Sequence, residues 1–329
     1  MNTLEDKQGK VTITRQKDGG KKINVEPLNN SFIPTKTCET NYPLNLIGLI
    51  FEIKGSSYLC DEIRRDVDPN YVQRDLEMDL TGYFTKQDFV GKKILDFGCG
   101  SGASTMILSR MYPDAEIVGV ELDESLLKIA EARLEFYKYP NIQFYASPSG
   151  NELPPQIEKF DFVIMSAVYE HLLPEERKTV IPKVWSIIKP QGHLFLNMTP
   201  YRWFPIEHHT TGLPFINYLP AKLAHAATRK FSKRTDSSES WETLLRRGIR
   251  GGTETEIVEV LRRNSKENPV LIEPSQKNMK DRIDLWYSQL NQENQLAIKK
   301  TIKYLFKAIR ALSGATPVPN LSLVIKKEI

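Results

Sequence analysis

The chain has 329 residues, enough to bury a large core as one domain with additions or as two. A formal net charge of +4 is too slight to demand a nucleic-acid partner, and three scattered cysteines, Cys38, Cys60 and Cys99, suggest neither a disulfide framework nor a zinc cluster. No N-terminal stretch has the pattern of a signal peptide, and the apolar run from Leu44 to Ile53 is too short and interrupted to cross a bilayer, so a soluble, cytoplasmic enzyme is expected.

Taken in chain order, residues 1–30 are polar, rich in Lys, Gly and Asn, and read as a disordered tail. Residues 31–90 read as a mainly helical N-terminal cap, including Ser57 to Ile63 and Val72 to Tyr83. From there strand and helix patterns alternate, which predicts an α/β fold with a parallel sheet covered on both faces. Strand Lys93–Phe97 leads into a helix over Ala103–Tyr112 that stops at Pro113. A second strand, Glu116–Glu121, precedes a helix capped by Asp123 with Leu126, Leu127, Ala130 and Leu134 on one face. Strands follow at Ile142–Ala146, Phe160–Ser166 and His193–Met198, and a helix from Pro174 contains Pro182, which should kink or split it. Beyond Met198 the alternation stops. Residues 201–252 read as a substrate-binding insertion or lid, and residues 253–329 as a part that completes the sheet with strands at Pro269–Glu273 and Leu321–Lys326. Between these two strands, Ile298, Ile302, Leu305 and Ile309 form one helical stripe.

The most specific segment is Lys93 to Gly102, an apolar strand that ends in an acid and enters three alternating glycines, Gly98, Gly100 and Gly102. Glycine permits tight turns at positive φ and a close ligand approach that any Cβ would block. About 20 residues further on, one βαβ unit later, Glu121 ends the next strand, placed to accept hydrogen bonds from ribose hydroxyls. No Gly-Lys-Ser/Thr follows the loop, so a triphosphate would lack its lysine partner. A dinucleotide reading survives loosely, with Ala103 standing third after Gly98 and Gly100.

Residues 90–200 resemble the class I S-adenosylmethionine-dependent methyltransferases through several segments in order: Asp96-Phe97-Gly98-Cys99-Gly100-Ser101-Gly102, then Glu121, then Phe160 to Ser166 followed by Val168-Tyr169-Glu170-His171-Leu172, and finally Ile188-Lys189-Pro190-Gln191-Gly192. The resemblance implies a Rossmann-like, doubly wound, mostly parallel seven-stranded sheet with an N-terminal helical cap, an S-adenosylmethionine-binding core over residues 91–200, and an insertion after the fifth strand. It implies S-adenosyl-L-methionine as cofactor, contacted by Asp96, Gly98, Cys99, Gly100, Gly102, Glu121, Leu122, Ser149 and Ser166. Ser149 stands where the family often has an aspartate near the adenine amino group, and Gln191 replaces a glycine, which a type I turn would accept.

Methyl transfer asks mainly that the acceptor be aligned and water excluded, although a hydroxyl acceptor must also lose a proton. His171, His208 and His209 are the candidate bases, with Glu170 and Glu207 as orienting partners; packing after the fourth strand is the alternative role for His171. Tyr169, Glu170, Tyr201, Trp203, Phe204 and Glu207 are the candidate acceptor contacts, and the aromatic content suggests a small, partly apolar or lipid-linked acceptor. Thr199 to Phe215 resembles bacterial methyltransferases of glycan, lipid and natural-product pathways. No metal is expected, because no carboxylate cluster with ligand spacing accompanies the histidines. The basic residues gathered over 222–250 read as a solvated face, or as a patch for an acidic acceptor or an anionic membrane surface. O-methylation of a small metabolite is the leading reading. N- or C-methylation is the alternative, ahead of nucleic-acid methylation, whose amino-methylating motif is absent at Ser166-Ala167-Val168-Tyr169. A non-catalytic cofactor-binding scaffold and a nicotinamide dehydrogenase remain further alternatives.

Overall fold

The computed structural model describes residues 2–29, 31–150, 152–290 and 295–328. Four strands come first, β1 (Asn2–Glu5), β2 (Gly9–Arg15), β3 (Lys21–Pro27) and β4 (Thr37–Thr40), followed by helices α1 (Leu44–Val67) and α2 (Arg74–Thr81). The alternating region contains β5 (Lys93–Phe97), α3 (Ala103–Met111), β6 (Glu116–Glu121), α4 (Glu124–Tyr137), β7 (Ile142–Ala146), β8 (Phe160–Ser166), α5 (Pro174–Ser186) and β9 (Ile188–Pro200). The remainder comprises α6 (Ala221–Phe231), α7 (Trp241–Arg246), α8 (Glu254–Asn264), β10 (Asn268–Ile272), α9 (Arg282–Gln289), α10 (Leu296–Ser313) and β11 (Asn320–Glu328). The main sheet has seven strands in the order β10-β11-β9-β8-β5-β6-β7, with β11 antiparallel to both its neighbours and β5, β6, β8 and β9 in parallel pairings. This is the expected Rossmann-like, mostly parallel arrangement.

The chain divides into two compact units, residues 1–77 with 99–147, and residues 78–98 with 148–329. In the first, the expectation of a disordered tail is overturned. Strands β1 to β4 form an antiparallel sheet of their own. Along β2 and β3 the apolar side chains alternate, so that Val11, Ile13, Ile23 and Val25 all point inward and are buried. They share one core with Leu46, Ile47, Ile50, Leu59 and Ile63 of α1. The cap is therefore a sheet backed by a helix. Positions 1 and 30 of the expected tail lie outside the described residues.

A buried arginine organises the polar part of this unit. Arg133, on α4, has no exposed side-chain surface and donates to the Ser101 carbonyl at 2.7 Å, the Ser101 hydroxyl at 2.8 Å, the Glu62 carbonyl at 2.7 Å, Glu62 Oε1 at 3.0 Å and the Tyr42 hydroxyl at 3.1 Å. Burial opposes its charge, but Tyr42, Glu62 and Asp66 outweigh that and hold it more firmly protonated than an ordinary arginine. The Ser101 hydroxyl also donates to Glu62, and the Tyr42 hydroxyl to Asp66.

In the second unit, β8 and β9 carry an aromatic cluster completed by Phe84. Phe84 lies 5.3 Å from Phe162, 4.8 Å from His193 and 5.7 Å from Phe195 between ring centres. α5 runs unbroken through Pro182 rather than splitting. Gln191 has φ 65°, a left-handed conformation that a type I turn does not contain, so the glycine it replaces would sit there with less strain. α10 turns only part of its apolar stripe inward, with Ile302 and Ile309 half-buried. Lys303, Lys307 and Arg310 pair with Asp284, Asp281 and Glu273, whereas Ile298 and Leu305 of the apolar stripe are 58% and 56% exposed. Ion pairs, the half-buried Ile302 and Ile309, and the contact of Phe306 with Trp286 together hold this helix.

Replacing Arg133 by Leu leaves buried Glu62 with the more distant Lys54, 3.9 Å away, as its cation and should cost about 3 kcal/mol. Urea unfolding measures the loss, and amide exchange at Ser101 and Gly102 should accelerate; an unchanged midpoint would refute the assignment.

Burial, assisted by the positive charge of Lys326, lowers the His193 pKa to about 4 from the ordinary 6.5. Protonation therefore favours the unfolded chain: the stability is complete above pH 6.5 and declines as pH falls towards 4. His193→Phe should flatten that slope by on the order of 1–3 kcal/mol. Parallel denaturation curves for both proteins near neutral and mildly acidic pH provide the comparison.

Candidate active site

The strand-to-helix loop after β5 puts Gly98, Gly100 and Gly102 at φ 73°, 56° and 79°. At Gly100 an added Cβ would meet no protein atom within 4 Å, so this face of the loop backbone is open. Glu121, at the end of β6, accepts the Gly100 N–H on Oε2 at 2.8 Å, and the Leu122 and Asp123 N–H groups on Oε1 at 2.8 and 3.0 Å. Each carboxylate oxygen has two lone pairs, so Oε2 keeps capacity for another donor. The Cys99 N–H donates to the Val120 carbonyl at 3.0 Å, tying the loop to β6. Asp96 and Cys99 are buried, and Leu122 is largely exposed. Ser149 is half-buried in a short bridge to Glu152, and Ser166 is half-buried at the end of β8.

A second group of chemical side chains forms in the unit that contains β8 and β9. Ala167 (φ 54°) and Met198 (φ 61°), at the carboxyl ends of these strands, are both left-handed, a conformation non-glycine residues keep where surrounding structure imposes it. Just beyond them, Glu170 is fully buried, and its Oε2 accepts from the Thr199 hydroxyl at 3.0 Å. Its Oε1 has no hydrogen-bond partner and lies 3.9 Å from His171 Nε2. His171 Nδ1 lies 2.7 Å from the Arg246 carbonyl, which fixes the ring and turns Nε2 towards Glu170. The His209 ring centre is 5.7 Å from that of His171. It packs against Gly248, where an added Cβ would come within 2.7 Å of the ring. Burial raises the Glu170 pKa, whereas burial and the neighbouring His171 lower that of His209.

The candidate residues thus separate. Glu170, His171 and His209 come together. His208 does not join them: its Nε2 lies 3.0 Å from Asn320 Oδ1, and its ring meets the edge of Phe204. Glu207 turns into its own loop, accepting from the backbone N–H groups of His209 at 3.0 Å, Thr210 at 2.8 Å and Thr211 at 2.5 Å, and from the Thr211 hydroxyl at 2.7 Å. Tyr169 is buried with Arg177 4.3 Å from its ring centre. Tyr201 is half-buried, and Trp203 is 44% exposed beside Tyr218. The sequence did not point to Thr199, Arg246 or Gly248, which position the cluster from two distant segments, the end of β9 and the turn at the end of α7. Nor did it point to Asn197, a buried residue of β9 whose Nδ2 donates to Asp79 at 2.8 Å while its Oδ1 has no partner.

Comparison with known proteins bears on this arrangement. The methyltransferase-domain family matches residues 94–192. Demethylmenaquinone methyltransferase of Lactococcus lactis is 30% identical over 134 residues, 40% of this chain and 52% of that protein. Ubiquinone biosynthesis O-methyltransferase of Acinetobacter baylyi is 28% identical over 32% of this chain and 43% of its own length. The chain spans about half or less of the curated relatives it matches. Among solved structures, PKMT2 from Rickettsia typhi in complex with AdoHcy aligns with a TM-score of 0.44 at 17% identity, covering 78% of this chain and 52% of that one. Residues 94–192, with the glycine loop at their start and Glu121 clamped to it, are a class I, S-adenosylmethionine-dependent methyltransferase domain.

Proposed function

We infer that the protein transfers a methyl group from S-adenosylmethionine to a hydroxyl of a small metabolite, partly apolar or linked to a lipid or glycan. The hydrogen bond between the Gly100 N–H and Glu121 carries the donor half of this reading. It holds a carboxylate with one free acceptor site on Oε2 beside a stretch of backbone that is open at Gly100, which suits a nucleoside whose sugar donates a hydrogen bond to it. Bound S-adenosylmethionine supplies a methyl group already activated on a sulfonium sulfur. Asp96, Cys99, Gly102, Leu122, Ser149 and Ser166 are the further residues proposed to line its site.

The acceptor half rests on Glu170, His171 and His209. A hydroxyl becomes a competent nucleophile when its proton is loosened, and the two imidazoles are the candidate bases for that step. Glu170 orients His171 from below, and Glu207 orients His209 by fixing the loop that carries it. Tyr201, Trp203 and Phe204 supply apolar surface for the acceptor, and residues 201–252 are proposed as its binding segment. The names of the Lactococcus and Acinetobacter relatives, which concern quinone biosynthesis, support an acceptor that combines a polar head with apolar bulk.

Incubation with methyl-labelled S-adenosylmethionine and fractionated cell extract, with the product traced by mass spectrometry, should place the label on an oxygen. Label on nitrogen or carbon would replace this reading with the corresponding methylation. Glu121→Ala should weaken donor binding by about 1–3 kcal/mol in calorimetry, the range for losing hydrogen bonds to a charged group. An unaltered dissociation constant would remove Glu121 from the sugar site.

A further inference from the structure

We propose that Glu170, His171 and His209 bind a single divalent transition-metal cation of the zinc class. One ligand atom from each of the three lies within 4.8 Å of the other two. Two imidazoles and one carboxylate form a donor set that zinc and its neighbours accept, with a position left for an exogenous oxygen.

Three independent features favour a cation over an idle cluster. First, Glu170 Oε1 is buried without a hydrogen-bond partner, and among the described residues no lysine or arginine forms an ion pair with this carboxylate. Leaving a buried carboxylate oxygen unsatisfied is costly, and a doubly positive ion would relieve it. Second, the surroundings already resemble the outer shell of a metal site. His171 Nδ1 is fixed by the Arg246 carbonyl, and Glu170 Oε2 by the Thr199 hydroxyl, leaving Nε2 and Oε1 directed at one another. Ligand histidines are ordinarily held in this way through their other nitrogen, and ligand carboxylates through a further hydrogen bond. Third, Gly248, at φ 91°, lets the backbone approach the His209 ring more closely than a side chain would allow. The floor of the site is buried while His171 is 45% exposed, so an ion can enter from solvent.

The site itself does not depend on the methyltransferase reading, but its role does. With a cation bound, the imidazoles serve as ligands rather than as the base. An acceptor hydroxyl coordinated in the remaining position becomes more acidic and releases its proton to water.

The test titrates chelator-treated protein with Zn2+ by calorimetry, and with Co2+ by visible absorption. Near-stoichiometric binding of one ion is expected, weakened at least tenfold in Glu170→Gln and in His209→Ala but retained in His208→Ala. In the unaltered protein, Zn2+ should protect His171 and His209 from diethyl pyrocarbonate while His208 and His225 still react, a readout that does not depend on any variant folding. No binding, binding indifferent to the Glu170 and His209 substitutions, or equal labelling of all four histidines would overturn the proposal. S-adenosylmethionine binding and label transfer, measured with and without the chelator, report separately on the methyltransferase reading: methylation that persists in metal-free protein would leave that reading intact while the cation role fails.

Discussion

The guanidinium of Arg133 is the constraint on which the glycine loop depends. It reaches from α4 to the Ser101 carbonyl and hydroxyl in the glycine loop, and to Glu62 on α1. A glycine loop with three left-handed residues has little conformational preference of its own, so something outside it must select one geometry. Arg133 does so from beneath, and Glu121 from the side through the Gly100 N–H. Both anchors are charged, and the one that is fully buried is also fully surrounded by acceptors, which is the condition under which a buried charge is tolerable. Tyr42 and Asp66 extend the network to the segment that joins β4 to α1, so the N-terminal sheet and the loop share one set of polar contacts.

The alternating core was legible because its pattern is strong. Long apolar strands, proline and glycine punctuation and the capping Asp123 all agree, and β5, β6, β7 and β8 begin and end where that pattern places them. The N-terminal strands were not legible for a physical reason. Residues 2–29 contain few large apolar residues, and β2 and β3 each commit only two or three to the inner face. Period-two alternation over seven residues is easily masked by the intervening lysines and threonines. What makes these strands stable is the apolar face of α1, more than 15 residues away in sequence, which no local window contains. α10 shows the converse: the helical period was visible, but not that the ion pairs would set the helix so that Ile302 and Ile309 are half-buried while Ile298 and Leu305 stay exposed.

The chemical cluster was half legible. Glu170 and His171 follow the fourth strand of the alternating region in a recognisable order, but nothing in their spacing shows that His209 joins them and His208 does not. That choice is made by Glu207, whose carboxylate gathers three successive backbone N–H groups and thereby fixes the direction of each side chain in the loop. In the turn over 208–211, one histidine of the pair comes to lie beside His171 and the other reaches Asn320. Sequence proximity is therefore a poor guide to which of the two histidines stands beside His171.

The same reasoning reinterprets the basic stretch over 222–250. Arg246 and Arg247 form ion pairs with Glu176 and Glu239, and Arg229, Arg234 and Arg250 donate to backbone carbonyls of Ser237, His208, Asn217 and Leu219. These arginines hold irregular backbone that lacks a regular hydrogen-bond ladder, a task for which a planar, multiply donating side chain is suited. The Arg246 carbonyl in turn fixes His171, and Arg234 fixes the carbonyl of His208, next to His209. Several arginines of the segment thus shape the loops around Glu170, His171 and His209, while Lys222, Arg229, Lys230, Lys233 and Arg234 are exposed without an ion pair among the described residues. A loop frame held at several carbonyls by planar, multiply donating side chains is what a site for a small acceptor requires.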